Sequence, residues 1–185
     1  MNLASAFAAS VEKRREKIVL YWGENEFSYA AIFAQACVVA AELAGKLGVK
    51  PGDRVALWMK NCPEFVPAVF GVLSAGGVVV PINNFLKPAE VSYILNDSGA
   101  NVMITDAELS AHFPELAAAR PPLKMLKVEE FAGQGPTESH PTGPRVHRSQ
   151  ANWWLRKSIR SLSPRCQGRL ARSGQRWYRP ARPVS

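Results

Sequence analysis

Residues 55–80 have the sequence VALWMKNCPEFVPAVFGVLSAGGVVV, in which two apolar runs flank a segment of helix length. The runs Val55–Met59 and Val78–Val80 carry no charge and are continuously apolar, as in strands covered on both faces. The segment between them predicts a helix that is capped by Asn61 and ends at Gly76. Strand, helix and strand this close together predict a βαβ unit with a right-handed crossover.

The same alternation continues toward the C-terminus. The pattern predicts a helix over 88–95, a strand over 101–105, and a short helix from Asp106 to Leu116 that is interrupted near Pro114. A last, weak strand is expected over 123–128. The predicted fold class is therefore α/β, built from βαβ units with a mainly parallel sheet.

The N-terminal third is expected to add helices and a hairpin. Residues 3–16 have helical spacing, and the strands 18–22 and 27–29 lie on either side of a turn. Ser28 is placed to cap a long helix over 29–47, whose apolar residues fall on one face. The glycine that follows this helix is expected to end it.

Composition divides the chain near residue 135. Of 185 residues, 47% are hydrophobic, which excludes a wholly disordered chain. Residues 1–135 have a net charge of −2, whereas residues 136–185 hold ten Arg, one Lys and one Glu and have a net charge of +10. We expect a partial globular domain over 1–135 and a disordered, basic tail rich in Arg, Pro, Ser and Trp over 136–185.

The usual signatures of catalysis and ligand binding are missing. No GxGxxG follows a strand, no GxxxxGK[ST] occurs, and Ser74 lacks the GxSxG spacing of a nucleophile elbow. The sequence thus assigns no catalytic, cofactor-binding or metal residue. The histidines and cysteines lack ligand spacing and are interpreted as surface or packing residues: His112, His140, His147, Cys37, Cys62 and Cys166.

The apolar runs and the cysteine content indicate whether the protein spans a membrane and in which compartment it is found. A long uncharged run, 65–82, contains two prolines and three glycines, which favours a helix, a turn and a buried strand over a membrane span. The few cysteines favour a reducing compartment, so we expect a cytoplasmic protein with no membrane span.

An ordered series of segments resembles the N-terminal part of the adenylate-forming (AMP-binding) superfamily over residues 3–131. Within that family the chain looks like a bacterial fatty-acid–CoA ligase, an acyl-CoA synthetase, and carrier-loading adenylation domains are the alternative. Each segment is common, but their order and spacing are specific. The segments are FSYA (27–30), GVKPGDRVA (48–56), NCPEF (61–65), SAGGVVVPIN (74–83), LKPAEV (86–91), YILNDSGA (93–100) and VMIT (102–105).

The resemblance implies a two-step reaction. ATP activates a carboxylic acid to an acyl-adenylate, and CoA then displaces AMP, with magnesium supporting the first step. The family binds the phosphates with a Ser/Thr-Gly-rich loop ending in Pro-Lys-Gly, and residues 173–180 do not match that loop. We therefore expect no cofactor on this chain itself, which would be a truncated acyl-CoA synthetase that is inactive alone. Asn83 and Asn84 either shape a loop or border the substrate cleft.

Three further hypotheses concern the C-terminal part. Residues from about 136–145 onward resemble the translation of a GC-rich gene in a shifted frame, because Arg replaces Lys abruptly there. A separately encoded remainder of the enzyme is a second explanation, with fatty acid and CoA as partners only of the intact enzyme. A nucleic-acid-binding or interaction role for the Arg/Trp tail is the least favoured alternative.

A truncated sheet is also expected to be marginally stable and prone to aggregation.

Overall fold

The computed structural model describes residues 3–132. The predicted boundary at residue 135 and the tail over 136–185 lie outside these residues, as do His140, His147 and Cys166. The helices are α1 (Leu3–Lys13), α2 (Tyr29–Ala41), α3 (Phe65–Ser74), α4 (Pro88–Ser98) and α5 (Phe113–Ala119). The strands are β1 (Ile18–Trp22), β2 (Asn25–Ser28), β3 (Arg54–Trp58), β4 (Val78–Pro81), β5 (Val102–Thr105) and β6 (Lys124–Lys127). A π-helical turn (Glu42–Lys46) continues α2, and 3₁₀ turns lie at Leu109–His112 and Val128–Glu130.

Four strands form one parallel sheet in the order β4-β3-β5-β6. Val55 pairs with Val79 on one side and with Val102 on the other. β1 and β2 form a separate antiparallel hairpin. The predicted α/β class with a parallel sheet is confirmed.

The sheet is covered on both faces, which explains its continuous apolar strands. Val55 and Leu57 of β3 belong to a core shared with α2 and α3. Their neighbours Ala56 and Trp58 belong to a second core on the opposite face, shared with α4 and α5. Successive strand residues point to opposite faces, so both faces need apolar side chains.

A third, smaller core joins α1 to the hairpin and α2. Phe7, Val11 and Ile32 form its buried centre, and the ring of Phe7 stacks on that of Phe70 with centroids 3.9 Å apart. The predicted cap of α2 is confirmed, because the Ala31 N–H donates to Ser28 Oγ at 3.2 Å.

Two local predictions were wrong, and the long second helix is confirmed with a different last turn. Asn61 does not cap α3, which begins at Phe65; the first N–H groups instead donate to turn carbonyls, as Phe65 does to Cys62 at 3.1 Å. Pro114 does not interrupt a helix but occupies the first turn of α5, where its missing N–H is not needed. The predicted helix over 29–47 is confirmed over 29–46: it is α-helical to Ala41, and its last turn is π-helical.

One stretch, Tyr29–Lys46, is long and apolar enough to cross a membrane by length and hydropathy alone. It comprises α2 and the π-helical turn, and 44% of it is buried inside the structure. Its buried residues Val39 and Leu43 belong to the main core. We interpret it as a core helix, because a buried helix can have the same length and hydropathy as a membrane span. The uncharged run 65–82 forms α3, a turn and β4, as predicted.

Candidate functional site at the carboxyl edge of the sheet

The order of the sheet reverses direction between β3 and β5. From β3 the chain passes to β4 on one side, and from β5 it passes to β6 on the other. In open α/β sheets, ligands bind outside the carboxyl ends of the strands at such a point. The loops that follow Trp58, Pro81 and Thr105 are therefore the first place to look for a site.

The carboxylate of Asp106 ties the loops after β3 and β5 together. Its Oδ2 accepts the Lys60 N–H at 2.7 Å, and its Oδ1 accepts the Leu109 N–H at 2.9 Å, which starts the 3₁₀ turn. Lys60 Nζ also pairs with Glu108, and this hydrogen bond raises the pKa of the lysine. The Ala107 N–H donates to Glu129 Oε1 at 3.0 Å, which links the loop after β6.

Two polar side chains are buried beneath these loops. Trp58 and Thr105 end neighbouring strands and pair in register, and their exposed fractions are 1% and 0%. Neither Trp58 Nε1 nor Thr105 Oγ1 has a hydrogen-bond partner among residues 3–132. The exposed His112 lies near this pair, with its ring centroid 6.0 Å from that of Trp58.

The loop after β4 contains the two asparagines that the sequence singled out. Asn83 Oδ1 accepts the Phe85 N–H at 3.0 Å, and its carbonyl accepts the Leu86 N–H at 3.2 Å. Asn83 therefore shapes a turn. Whether Asn83 and Asn84 also border a substrate cleft stays a prediction.

An exposed aromatic surface beside this loop was missed by the sequence reasoning. Phe85 and Tyr93 are 86% and 72% exposed. Tyr93 lines an open depression of about 500 Å³ together with Leu86, Ala89, Glu90 and Ile94. The helical periodicity of the sequence indicated the exposure of Tyr93. Val91 and Leu95 lie four residues apart on the buried face of α4, and Tyr93, midway between them in sequence, lies on the opposite face.

The described residues provide no magnesium site. In residues 3–132, no group of three His, Cys, Asp or Glu side chains is placed to hold a metal ion. The carboxylates of Asp106, Glu108 and Glu129 at the candidate edge are occupied by backbone N–H groups and Lys60. We therefore derive no catalytic step through magnesium.

The other residues considered as candidates have structural positions. Ser74 ends α3, as expected. Cys62 is half-buried against the main core, and burial raises the pKa of its thiol to about 11. This thiol is therefore poorly suited to act as a nucleophile at neutral pH.

Comparison with known proteins identifies the family. The sequence model described as AMP-binding enzyme matches residues 7–163 of this chain. The chain belongs to the AMP-binding enzyme family. The match runs past the predicted boundary at residue 135, and the nature of the tail stays a prediction.

Relatives of this AMP-binding protein include ligases and peptide synthetases. The crotonobetaine/carnitine–CoA ligase of Salmonella typhimurium is 37% identical over 92 residues, which cover 50% of this chain and 18% of the ligase. A linear gramicidin synthase of Brevibacillus parabrevis is 32% identical over 109 residues, which cover 59% of this chain and 1% of the synthase. The chain thus spans less than a fifth of the ligase it matches.

Solved structures share the fold. The N-terminal domain of FACL13 from Mycobacterium tuberculosis aligns with a TM-score of 0.63 and 26% identity, over 80% of this chain and 40% of that one. A benzoate CoA ligase from Burkholderia xenovorans aligns with a TM-score of 0.64 and 24% identity, over 78% of this chain and 31% of that one. The present fold is thus one part of the adenylate-forming fold.

Proposed function

We propose that this chain is the N-terminal part of an acid–CoA ligase that uses ATP to activate a carboxylic acid and transfers the acyl group to CoA. The observation that carries the proposal is the 37% identity to the carnitine–CoA ligase, which spans half of the chain. We propose fatty acids as the substrate class and the cytoplasm as the compartment. The peptide synthetases, 32% identical over 59% of the chain, support a carrier-loading adenylation domain as the second candidate.

We also propose that the 185-residue chain alone does not form acyl-adenylate. The full sequence contains no Ser/Thr-Gly-rich loop ending in Pro-Lys-Gly, and backbone N–H groups with a lysine are what the phosphates require. The contribution of residues 3–132 would be architectural: they supply one parallel sheet and the exposed aromatic side chains of Phe85, in the loop after β4, and Tyr93, on α4. The catalytic groups would come from a remainder of the enzyme.

A segment exchange tests the family activity. Residues 3–132 would replace the matching segment of the Salmonella carnitine–CoA ligase, and AMP release would be measured with fatty acids, carnitine and amino acids. Cooperative thermal unfolding would show that the chimera is folded. We expect the folded chimera to release AMP only when both an acid and CoA are present. A folded chimera without CoA-dependent AMP release would contradict the proposal, and release that needs an amino acid but no CoA would favour the peptide-synthetase candidate.

The natural chain provides a second test. ATP–pyrophosphate exchange by the full 185-residue protein should stay at background with every acid, because the chain lacks the phosphate loop. Exchange above background would refute the proposed inactivity. Exchange that appears only after mixing with a separately encoded remainder would support a split enzyme.

The origin of the basic tail is tested at the DNA level. We propose that residues from about 136–145 onward are translated in a shifted frame. Translation of the DNA from codon 130 onward in three frames should then reveal an acidic linker and a phosphate loop. If no frame contains them, the shifted-frame proposal fails, and salt-dependent nucleic-acid binding that is lost on deleting 136–185 becomes the test of the remaining alternative.

A further inference from the structure

The outer edge of the hairpin is open. In the described part of the chain, β1 pairs only with β2, and no backbone hydrogen bond outside the helices and strands involves residues 18–22. The side chains of Val19 and Tyr21 are 37% and 66% exposed. An edge of this kind is a template for another strand, and a two-stranded hairpin is marginally stable by itself.

The side chains of β1 supply no charge and no proline that would protect this edge. Residues 18–22 are Ile-Val-Leu-Tyr-Trp, with no charge, proline or glycine. Natural edge strands are commonly shielded by a lysine, a proline or a bulge that turns the edge away. β1 has one irregularity, between Ile18 and Leu20, and its remaining residues pair regularly with β2.

We propose that two copies of this chain associate through antiparallel pairing of their β1 strands. The charges that flank β1 favour a second copy of the chain as the partner and an antiparallel direction of pairing. Residues 13–17, which precede the strand, hold four cations and one carboxylate, a net charge of +3. The turn that follows it holds Glu24, and the first residues of β2 hold Glu26. Residues 13–17 and 24 are exposed, and no ion pair within residues 3–132 involves these charges.

Antiparallel pairing places the basic end of one strand beside the acidic turn of the other. With the two-fold axis at Leu20, Val19 of each copy lies opposite Tyr21 of its mate, and Lys17 lies opposite Gly23, one residue from Glu24. Glu16 falls opposite Glu24 in this register, so the contact is favourable through the net charge of +3 on residues 13–17. This contact is isologous, so the favourable charge contact forms twice. Parallel pairing would place the two basic ends together, which is unfavourable.

Sedimentation equilibrium of the full 185-residue chain tests the proposal. It would be measured from low to high micromolar concentration, with a reductant present so that cysteine disulfides do not contribute. We expect a monomer–dimer equilibrium whose dissociation constant rises with salt. A chain that stays monomeric throughout, or a self-association that does not respond to salt, would overturn the proposal.

Val19→Lys places a charge at the centre of the proposed contact. The dissociation constant should rise about tenfold or more, while the melting temperature stays near that of the wild type. Val78→Lys is the matched control, because Val78 is 48% exposed on β4, at the edge of the other sheet. A dimer that is insensitive to Val19→Lys, or one that Val78→Lys dissociates equally, would overturn the assignment to β1.

Charge reversal provides a test that leaves the strand itself unchanged. Lys17→Glu and Glu24→Lys should each raise the dissociation constant, because each places like charges together at both ends of the contact. The double variant with both substitutions restores opposite charges and should recover most of the wild-type affinity. Failure of the double variant to recover would contradict antiparallel pairing.

Discussion

Gly71 on α3 lies so close to α2 that a methyl group on its Cα would stand 2.5 Å from the Cβ of Val39. The same methyl group would be 3.0 Å from the carbonyl oxygen of Ala36. Neither neighbour is the end of a flexible side chain, so the two helices would have to move apart. The absence of a side chain at this position is what lets α2 and α3 pack over the sheet.

Gly71→Ala is therefore expected to destabilise the protein by about 1–3 kcal/mol, the usual effect of overpacking a core. Gly45→Ala is the matched control, because a methyl group at Gly45 has no atom within 4 Å. It should change stability by less than about 0.5 kcal/mol or increase it slightly. Urea unfolding followed by circular dichroism measures both. Equal effects of the two variants would contradict the close approach at Gly71.

The ion pair of Lys46 with Glu130 connects the π-helical turn to the last described 3₁₀ turn. Lys46 Nζ lies 2.8 Å from Glu130 Oε2. This hydrogen bond lowers the pKa of Glu130 and raises the pKa of Lys46. The carboxylate therefore contributes stability above its unfolded pKa of about 4.3, and that contribution is lost as the pH falls through the lower folded value.

Glu130→Gln should thus be less stable than the wild type at neutral pH, by a small amount because the pair is exposed to solvent. The difference should begin to shrink near the unfolded pKa of about 4.3 and disappear as the pH falls through the lower folded pKa. The glutamine can still accept the Lys127 N–H, which lies 3.3 Å from Glu130 Oε1. In a Lys46→Met background, Glu130→Gln should have little pH-dependent effect. A difference that persists at pH 3, or that survives without the lysine, would show another origin.

The amino-acid sequence was sufficient to predict the order of strands and helices and the parallel sheet. These features follow from apolar runs such as Val55–Met59, which only a strand covered on both faces can bury. Such features depend on local pattern.

Other features depend on contacts distant in sequence and could not be predicted. Asn61 is of a residue type that commonly caps helices, but the first N–H groups of α3 already donate hydrogen bonds to carbonyl groups of the turn after β3. The role of Asp106 in holding the Lys60 N–H requires that β3 and β5 be neighbours, a fact that spacing does not reveal. The exposure of Phe85 likewise follows from the turn built by Asn83.

The thiol of Cys62 is expected to react slowly. Its pKa of about 11 results first from burial, with the nearby Glu64 adding to the effect. At pH 8 the thiolate fraction is then on the order of a hundredfold lower than for an unperturbed thiol. Alkylation by iodoacetamide, followed by peptide mass spectrometry, should show this difference between the native and the urea-unfolded chain. Equal rates in the two states would contradict burial of Cys62.

Thr105 and Val55 allow a matched pair of isosteric substitutions on neighbouring strands. Both side chains are fully buried, and the Thr105 hydroxyl has no partner among the described residues. Replacing an unpartnered buried hydroxyl by a methyl group removes a desolvation penalty. Thr105→Val should therefore be neutral or stabilise the protein by up to about 1 kcal/mol, whereas Val55→Thr should destabilise it by about 1–3 kcal/mol.

Thermal and urea unfolding of the two variants, each compared with the wild type, checks this expectation. Both substitutions preserve side-chain volume closely, so cavity formation does not contribute and the hydroxyl is the variable. A loss of about 1 kcal/mol or more in Thr105→Val would contradict it and show that the hydroxyl makes a hydrogen bond in solution. The adjacent Trp58 Nε1 would then be the first group to examine, since Trp58 and Thr105 pair across β3 and β5.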